Sequence, residues 1–447
     1  MFALTPLERW TAQKIGLGQG VLTREALAEY QLQRFQETLR LVTANSVFYR
    51  DRLGIEAVRS VESLADIAAL PFTTAEDLRQ AGQQMLCVSQ SCINRVVTLT
   101  TSGTLGEPKR LWFTEDDQAL TVDFFRAGMS TLVAPGDRVL ILLPGERSGS
   151  VGELLAQALE NAGVVAISHG PVQNLAATLQ TIRSHNVNSL VGVPVQVLAL
   201  AQYCEQSGDR SLALKSILLS TDHAADSLIR EVERIWQCRV FDHYGMTEMG
   251  LGGGVECEAH SGFHLRETDL YFEIIDPDSG QLLPAGCEGE VVFSTLTRRG
   301  MPLIRYRTGD FSRFLPEPCD CGSILKRLDR IGGRSESTLQ LPDGAVLQLS
   351  ALDEVIFSIP GVIDFVVTVE DTPQLMTVQV ALLTVIDETG SELAAMERIG
   401  SINAVAVSRS TGRLEIKVRA TLCSGDLLSR TGKRIVCAGT RAGGHKR

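Results

Sequence analysis

The chain has 447 residues, with 42 Lys and Arg against 53 Asp and Glu, a formal charge of −11. That length predicts two or three domains with ample core, and the acidic balance argues against nonspecific nucleic-acid binding and against an anionic membrane surface. Aliphatic residues dominate and aromatics are 5% of the chain, which suits an α/β enzyme rather than a disulfide scaffold. Residues 1–20 lack the apolar core and cleavage site of a secretory leader, and no apolar run reaches the length of a membrane span. The expectation is a cytoplasmic protein whose ten cysteines are mostly reduced, so that clustered thiols point to metal before disulfide.

Residues 24–51 read as largely helix, because Leu27, Leu32, Phe35 and Leu39 fall near helical spacings. Thr74 with Glu76 and Asp77 marks another helix start. Residues 96–99 form a short β-rich run. Strands then alternate with helices: strands at 138–143, 164–168, 189–193, 216–220 and 240–241, helices at 151–161, 173–184 and 224–236. This alternation predicts a parallel sheet with helices on both faces. The character changes after Gly252. Residues 271–275 and 289–294 read as antiparallel strands, with Pro277-Asp278-Ser279-Gly280 as turn material between them. Gly332-Gly333-Arg334 is a hinge candidate. The tail reads as a small α+β domain, with strands at 362–369, 376–383, 404–407 and 415–420 and a helix at 391–399.

Four motifs carry chemistry. Thr100-Thr101-Ser102-Gly103-Thr104-Leu105-Gly106-Glu107-Pro108-Lys109 alternates hydroxyls and glycines and ends in a lysine. Glycines let backbone N–H groups approach an oxyanion, hydroxyls add donors, and the lysine adds charge. These are the parts of a polyphosphate cradle, but not of the P-loop, whose Gly-Lys-Ser/Thr is missing. Asp242-His243-Tyr244-Gly245-Met246-Thr247-Glu248 follows a strand, where an open α/β sheet binds ligands. There Tyr244 suits a purine face, Thr247 a phosphate, and Glu248 a magnesium ion bridging phosphate oxygens. Tyr306-Arg307-Thr308-Gly309-Asp310 ends in a carboxylate suited to ribose hydroxyls. In Asp329-Arg330-Ile331-Gly332-Gly333-Arg334, Arg334 suits ribose or phosphate. Separately, Cys319-Asp320-Cys321-Gly322 is a Cys-x-Cys knuckle. With Cys257 and His264, or His260 in the latter's place, it offers a closed tetrahedral set for structural zinc.

These motifs in this order resemble the adenylate-forming superfamily of acyl-CoA synthetases, adenylation domains and luciferases. Ser46-Val47-Phe48-Tyr49, Leu70-Pro71-Phe72-Thr73-Thr74, Gly262-Phe263-His264 and Leu303-Ile304-Arg305-Tyr306-Arg307 narrow the resemblance to the phenylacetate–CoA ligase family. It covers about residues 24–360. It implies a large adenylation domain over 1–334, with a zinc-knuckle β region near 252–325, and a mobile α+β domain over 335–447. It implies a carboxylic acid, aromatic by kinship, converted by ATP and Mg2+ to acyl-AMP and then to a CoA thioester. Matching positions imply that Thr101, Ser102, Gly103, Thr104 and Gly106, with Lys109, cradle phosphates. Ser220, Thr221 and Asp222, with Tyr244, Gly245 and Met246, would border the nucleotide. Thr247 would meet the α-phosphate, Glu248 the magnesium, and Asp310 the ribose with help from Arg334. Thr431-Gly432-Lys433 resembles the family's mobile lysine, and residues 191–195, 220–223 and 243–251 would line the acid pocket. Relatives are often dimers, so a homodimer is expected. The chain departs from the pattern at Leu105, at Ser220-Thr221-Asp222 in place of Gly-Ala-Glu, at Glu336 and at Leu349. Those departures leave two alternatives: another acceptor (a carrier protein, an amine or a deazaflavin), or a noncatalytic nucleotide-binding protein.

Overall fold

The computed structural model describes residues 2–18, 20–54, 60–99, 108–208, 212–334, 338–372, 374–423, 425 and 437–438. The chain divides into two compact units. The first comprises Met1–Asp137, Pro144–Ser168 and Phe241–Gly332; the second comprises Arg138–Leu143, His169–Val240 and Gly333–Arg447.

In the first unit, the long N-terminal helical reading resolves into Arg24–Asn45 and Val47–Leu53. Ser46 separates them because its hydroxyl accepts from the Tyr49 N–H and caps the second helix. Phe35, Leu39 and Val42 recur on one face of the first helix and are fully buried. Thr74 and Asp77 form a reciprocal capping box that starts the helix Ala75–Ala81. The strands Leu270–Ile275, Gly289–Thr295 and Tyr306–Ser312 pair antiparallel, with a bulge between Glu290 and Val292.

A buried knot fixes the start of the Tyr306 strand. The Tyr49 hydroxyl lies 3.0 Å from the Thr73 hydroxyl and accepts from the Ile304 N–H at 3.1 Å. The Arg305 guanidinium pairs with Glu273 at 3.0 Å, donates to the Ala68 and Leu70 carbonyls at 2.6 Å, and stacks on Phe72. Burial pushes the Glu273 carboxyl up, and Arg305 opposes the shift. The residues that carry the family resemblance at Tyr49, Thr73 and Arg305 are thus architectural.

The second unit contains the parallel strands Arg138–Ile141, Ser189–Gly192 and Ser216–Leu219. Their nearly continuous burial is what a sheet covered on both faces requires. Pro194 opens the helix Pro194–Gln206 at its first turn, where a missing N–H costs nothing. The tail strands order as Leu414–Leu422, Met376–Thr384, Val362–Asp371 and Cys437–Ala438. Glu354 caps the helix Asp226–Trp236, accepting from the Asp226 and Ser227 N–H groups at 2.6 and 3.0 Å. One expectation fails: residues 404–407 lie inside the helix Asn403–Ser410, not in a strand. The Ala-Val-Ala-Val alternation mimics a strand. However, the buried residues are Val405 and Ser408, a helical spacing, while Val407 is exposed.

Candidate active site

The site grows from the end of the strand Arg239–Tyr244. Gly245 follows it. A side chain there would put its Cβ 2.5 Å from the Leu251 carbonyl, so the turn needs glycine. Met246 then leads into a short 3-10 turn, Thr247–Met249, stopped by Gly250 in a left-handed conformation. This places Glu248 inside the protein at 2% exposure.

A buried carboxylate needs partners. Glu248 Oε1 accepts from Lys109 Nζ at 2.6 Å and from the Tyr306 hydroxyl at 3.2 Å. Its carbonyl accepts from Arg298 at 2.7 Å, and that guanidinium stacks on Phe113, 4.3 Å from the ring centroid. Burial pulls the Arg298 pKa down, while Asp117 and Glu248 oppose the shift. Burial, then Glu248, pushes the Tyr306 phenol well above its ordinary range, so it stays a donor. Nearby, the Tyr244 hydroxyl donates to Asp310 at 3.0 Å. The Thr308 hydroxyl accepts from the Asp310 N–H at 3.0 Å and shapes the turn.

The structure therefore brings Lys109, Glu248, Tyr306, Tyr244 and Asp310 into one unit. Tyr244 is used through its hydroxyl here, not only as a ring. Ser220, Thr221 and Asp222 belong to the other unit, just past the strand Ser216–Leu219. Thr221 holds φ at 76°, a costly conformation for a β-branched residue. Thr101, Ser102, Gly103, Thr104, Leu105, Gly106, Glu336 and Lys433 lie outside the described residues, as does the Arg334 side chain. Sequence reasoning missed Arg298 and gave Tyr306 no role. The signal for Arg298 was an arginine just beyond a wholly buried strand, Gly289–Thr295.

Beside Thr247 lies a cavity of about 190 Å3. Its walls are mainly apolar: Val97, Phe113, Val151, Leu154 and Leu251. Residues 243–251 thus contribute Thr247 and Leu251, while residues 191–195 and 220–223 are absent from the lining.

The sulfur cluster lies in the same unit. The strands Gly254–Glu256 and Phe263–Leu265 pair antiparallel, and Arg327 lies opposite His264. This register brings Cys257, His264, Cys319 and Cys321 together, their ligand atoms within 4.8 Å of one another and all four residues buried. The Cys257 and Cys319 sulfurs are 3.6 Å apart, and Cys321 Sγ lies 3.4 Å from His264 Nε2. Zinc–sulfur bonds of about 2.3 Å and zinc–nitrogen bonds of about 2.0–2.1 Å in a tetrahedron need separations of about 3.8 and 3.5 Å. A disulfide needs about 2.05 Å. The donor set therefore fits a thiolate-rich tetrahedral ion. The hydrogen bond to Cys321 and burial raise the Cys257 thiol, whereas Cys321 is drawn down to about 3 by Cys257 and, secondarily, His264. His260 is elsewhere engaged: it bonds Glu256 at 3.2 Å and packs on Phe241.

With this geometry in place, comparison with known proteins defines the class. Residues 25–297 match the AMP-binding enzyme family, and the chain belongs to it. Within it, the chain belongs to the phenylacetate–CoA ligase group of the adenylate-forming superfamily. It is 31% identical to phenylacetate-coenzyme A ligase of Aromatoleum evansii over 71% of this chain and 72% of that protein. It is 30% identical to the Pseudomonas putida ligase of the same name over 70% and 72% of the respective chains. The solved 2-hydroxyisobutyryl-CoA ligase in its postadenylation state, in complex with 2-HIB-AMP, shares the fold. It has a TM-score of 0.78 at 20% identity, covering 93% of this chain and 89% of that one.

Proposed function

We propose that the protein is an ATP-dependent acid–CoA ligase acting on a small ring-bearing, phenylacetate-like carboxylic acid. The observation that carries this reading is the Lys109–Glu248–Tyr306 cluster at a strand end, beside a cavity bordered by Thr247. A carboxylate oxygen of the acid attacks the α-phosphorus of ATP and pyrophosphate leaves. The CoA sulfur then attacks the acyl carbon, and AMP leaves with the bonding pair. No covalent enzyme intermediate is required, so the protein contributes positioning and charge stabilisation.

Each residue has a part. Lys109 and Tyr306 orient Glu248, which would hold Mg2+; the ion supplies charge neutralisation on the phosphate oxygens. Thr247 would donate to the α-phosphate. Asp310, held by Tyr244, would accept from ribose hydroxyls, with Arg334 assisting. Lys433 would neutralise charge developing during adenylation. A hinge near residue 334 would let residues 335–447 carry that lysine in and out. Cys257, His264, Cys319 and Cys321 would hold zinc as a closed, structural site.

ATP–pyrophosphate exchange across a panel of carboxylic acids tests the reading. Acid-dependent exchange with CoA consumption is expected. Exchange without CoA consumption would transfer the proposal to another acceptor, and no exchange with any acid would overturn it. Lys433→Ala should impair exchange more than thioester formation from supplied acyl-AMP; equal loss in both would remove Lys433 from the adenylation step.

A further inference from the structure

The cysteine cluster is braced from outside by the start of the chain. The helix Pro6–Lys14 buries Leu7, Trp10 and Thr11, a helical spacing that seats one face. Trp10 Nε1 donates to Asp123 at 2.8 Å, and Lys14 pairs with Asp269 at 3.0 Å. The seated helix presents Glu8 to the chain just beyond the Cys-x-Cys turn. Glu8 Oε2 accepts from the Ser323 hydroxyl at 2.6 Å and from the Ile324 N–H at 3.1 Å. Ser323 is buried, and its hydroxyl accepts in turn from the Leu325 N–H at 3.2 Å. The turn that carries Cys321 is closed by the Gly322 N–H, which donates to the Cys319 carbonyl at 2.8 Å, and Ser323 follows it directly.

A second residue holds the seam between the two ligand-bearing segments. Arg24 forks onto the Glu267 carboxylate at 2.7 and 2.9 Å. Glu267 lies just past the strand Phe263–Leu265, which carries His264, and its Oε2 also accepts from the Lys326 N–H at 2.8 Å. The Leu265 N–H donates to the Lys326 carbonyl at 3.1 Å, which completes the seam. Glu8 and Arg24 both precede residues 25–297, the span that matches the AMP-binding family, so this bracing comes from outside that span.

All four ligands are buried, so an ion leaves only when a segment that carries them opens. Groups just behind metal ligands commonly set affinity by about 10–100-fold. Resting on the zinc reading above, we propose that the N-terminal segment is a clasp on the metal site. Glu8 is a positioning residue that fixes the Cys319–Cys321 turn and slows loss of the ion. Arg24 fixes the seam beside His264. Neither touches the ion; both raise the free energy of opening.

The rate of zinc transfer from the purified protein to a colorimetric chelator tests this independently of turnover. Glu8→Ala should speed release by about tenfold or more. Glu8→Gln keeps an oxygen acceptor and should retain part of the slow release. Ser323→Ala should also speed release, and should add little on top of Glu8→Ala, because the two residues share one hydrogen bond. Arg24→Met should speed it as well. Thr74→Ala is the control: it removes a helix cap elsewhere in the same unit, and should lower Tm while leaving release at the wild-type rate. Wild-type release from Glu8→Ala, full additivity with Ser323→Ala, or equal acceleration by Thr74→Ala overturns the clasp and leaves the zinc reading intact. If Glu8→Ala does not fold, Glu8→Gln and Ser323→Ala decide, and wild-type release from both overturns the clasp. Only trace zinc in the wild-type protein overturns the zinc reading and the clasp together.

Discussion

Two buried clusters in the first unit make an instructive pair. The Glu248 cluster joins an acid, a lysine, a phenol and an arginine, with Lys109 reaching Glu248 across 139 positions of sequence. The cysteine cluster joins Cys257 and Cys319 across 62 positions. Both rely on long-range convergence, yet they do opposite things with it. Around Glu248, donors converge on one carboxylate oxygen, and a cavity opens beside the adjoining Thr247. Around Cys257, four donors face one another and are all buried, so no position is left for substrate. Charge arranged beside a cavity suits chemistry, whereas soft donors closed on themselves suit architecture.

That contrast can be broken from either side. The largest effect is expected at Glu248. Glu248→Gln should cut kcat per folded molecule by about 10²–10³-fold, as loss of a key electrostatic group does, and leave the metal content of the cysteine cluster unchanged. Cys319→Ser should act on architecture instead: metal analysis should find zinc in the wild type and lose it in the variant, and Tm should fall by about 10 °C, with activity per folded molecule largely retained. Only trace zinc in carefully purified wild-type protein would contradict the architectural role.

A smaller effect concerns His243, which packs against Phe124 and Phe125 and has its pKa lowered to about 4 by burial. The unfolded chain binds that proton near pH 6.5 while the folded chain resists it, so the folded state should lose up to about 3 kcal/mol as pH falls from 6.5 to 4. Denaturant melts should show this loss in wild type and not in His243→Phe. The smallest effect is Tyr306→Phe, which removes one hydrogen bond to Glu248. It should cost about 1 kcal/mol of transition-state stabilisation, a roughly fivefold fall in kcat/KM.

Elements whose local chemistry agrees with their burial were legible in the sequence. Thr74 and Asp77 announced their helix by a capping box. The parallel strands were legible as unbroken apolar runs. The Tyr244–Glu248 and Tyr306–Asp310 motifs were legible as ligand-facing strand ends, because glycine, hydroxyl and carboxylate recur there for a chemical reason. Contacts made at a distance were not legible. Nothing local says that Arg298 reaches the Glu248 carbonyl, that Tyr49 and Thr73 brace Ile304, or that Arg95 and Ser150 share a cavity wall. Residues 404–407 misled because a strand-like alternation can also place one buried valine per helical turn.

The most direct measurement quantifies AMP, pyrophosphate and acyl-CoA together when the purified protein is given ATP, Mg2+, CoA and a phenylacetate-like acid that supports exchange. The account predicts equal amounts of all three, dependent on the acid and nearly abolished in Glu248→Gln. Release of ADP and phosphate instead, or AMP formation indifferent to the acid, would contradict it.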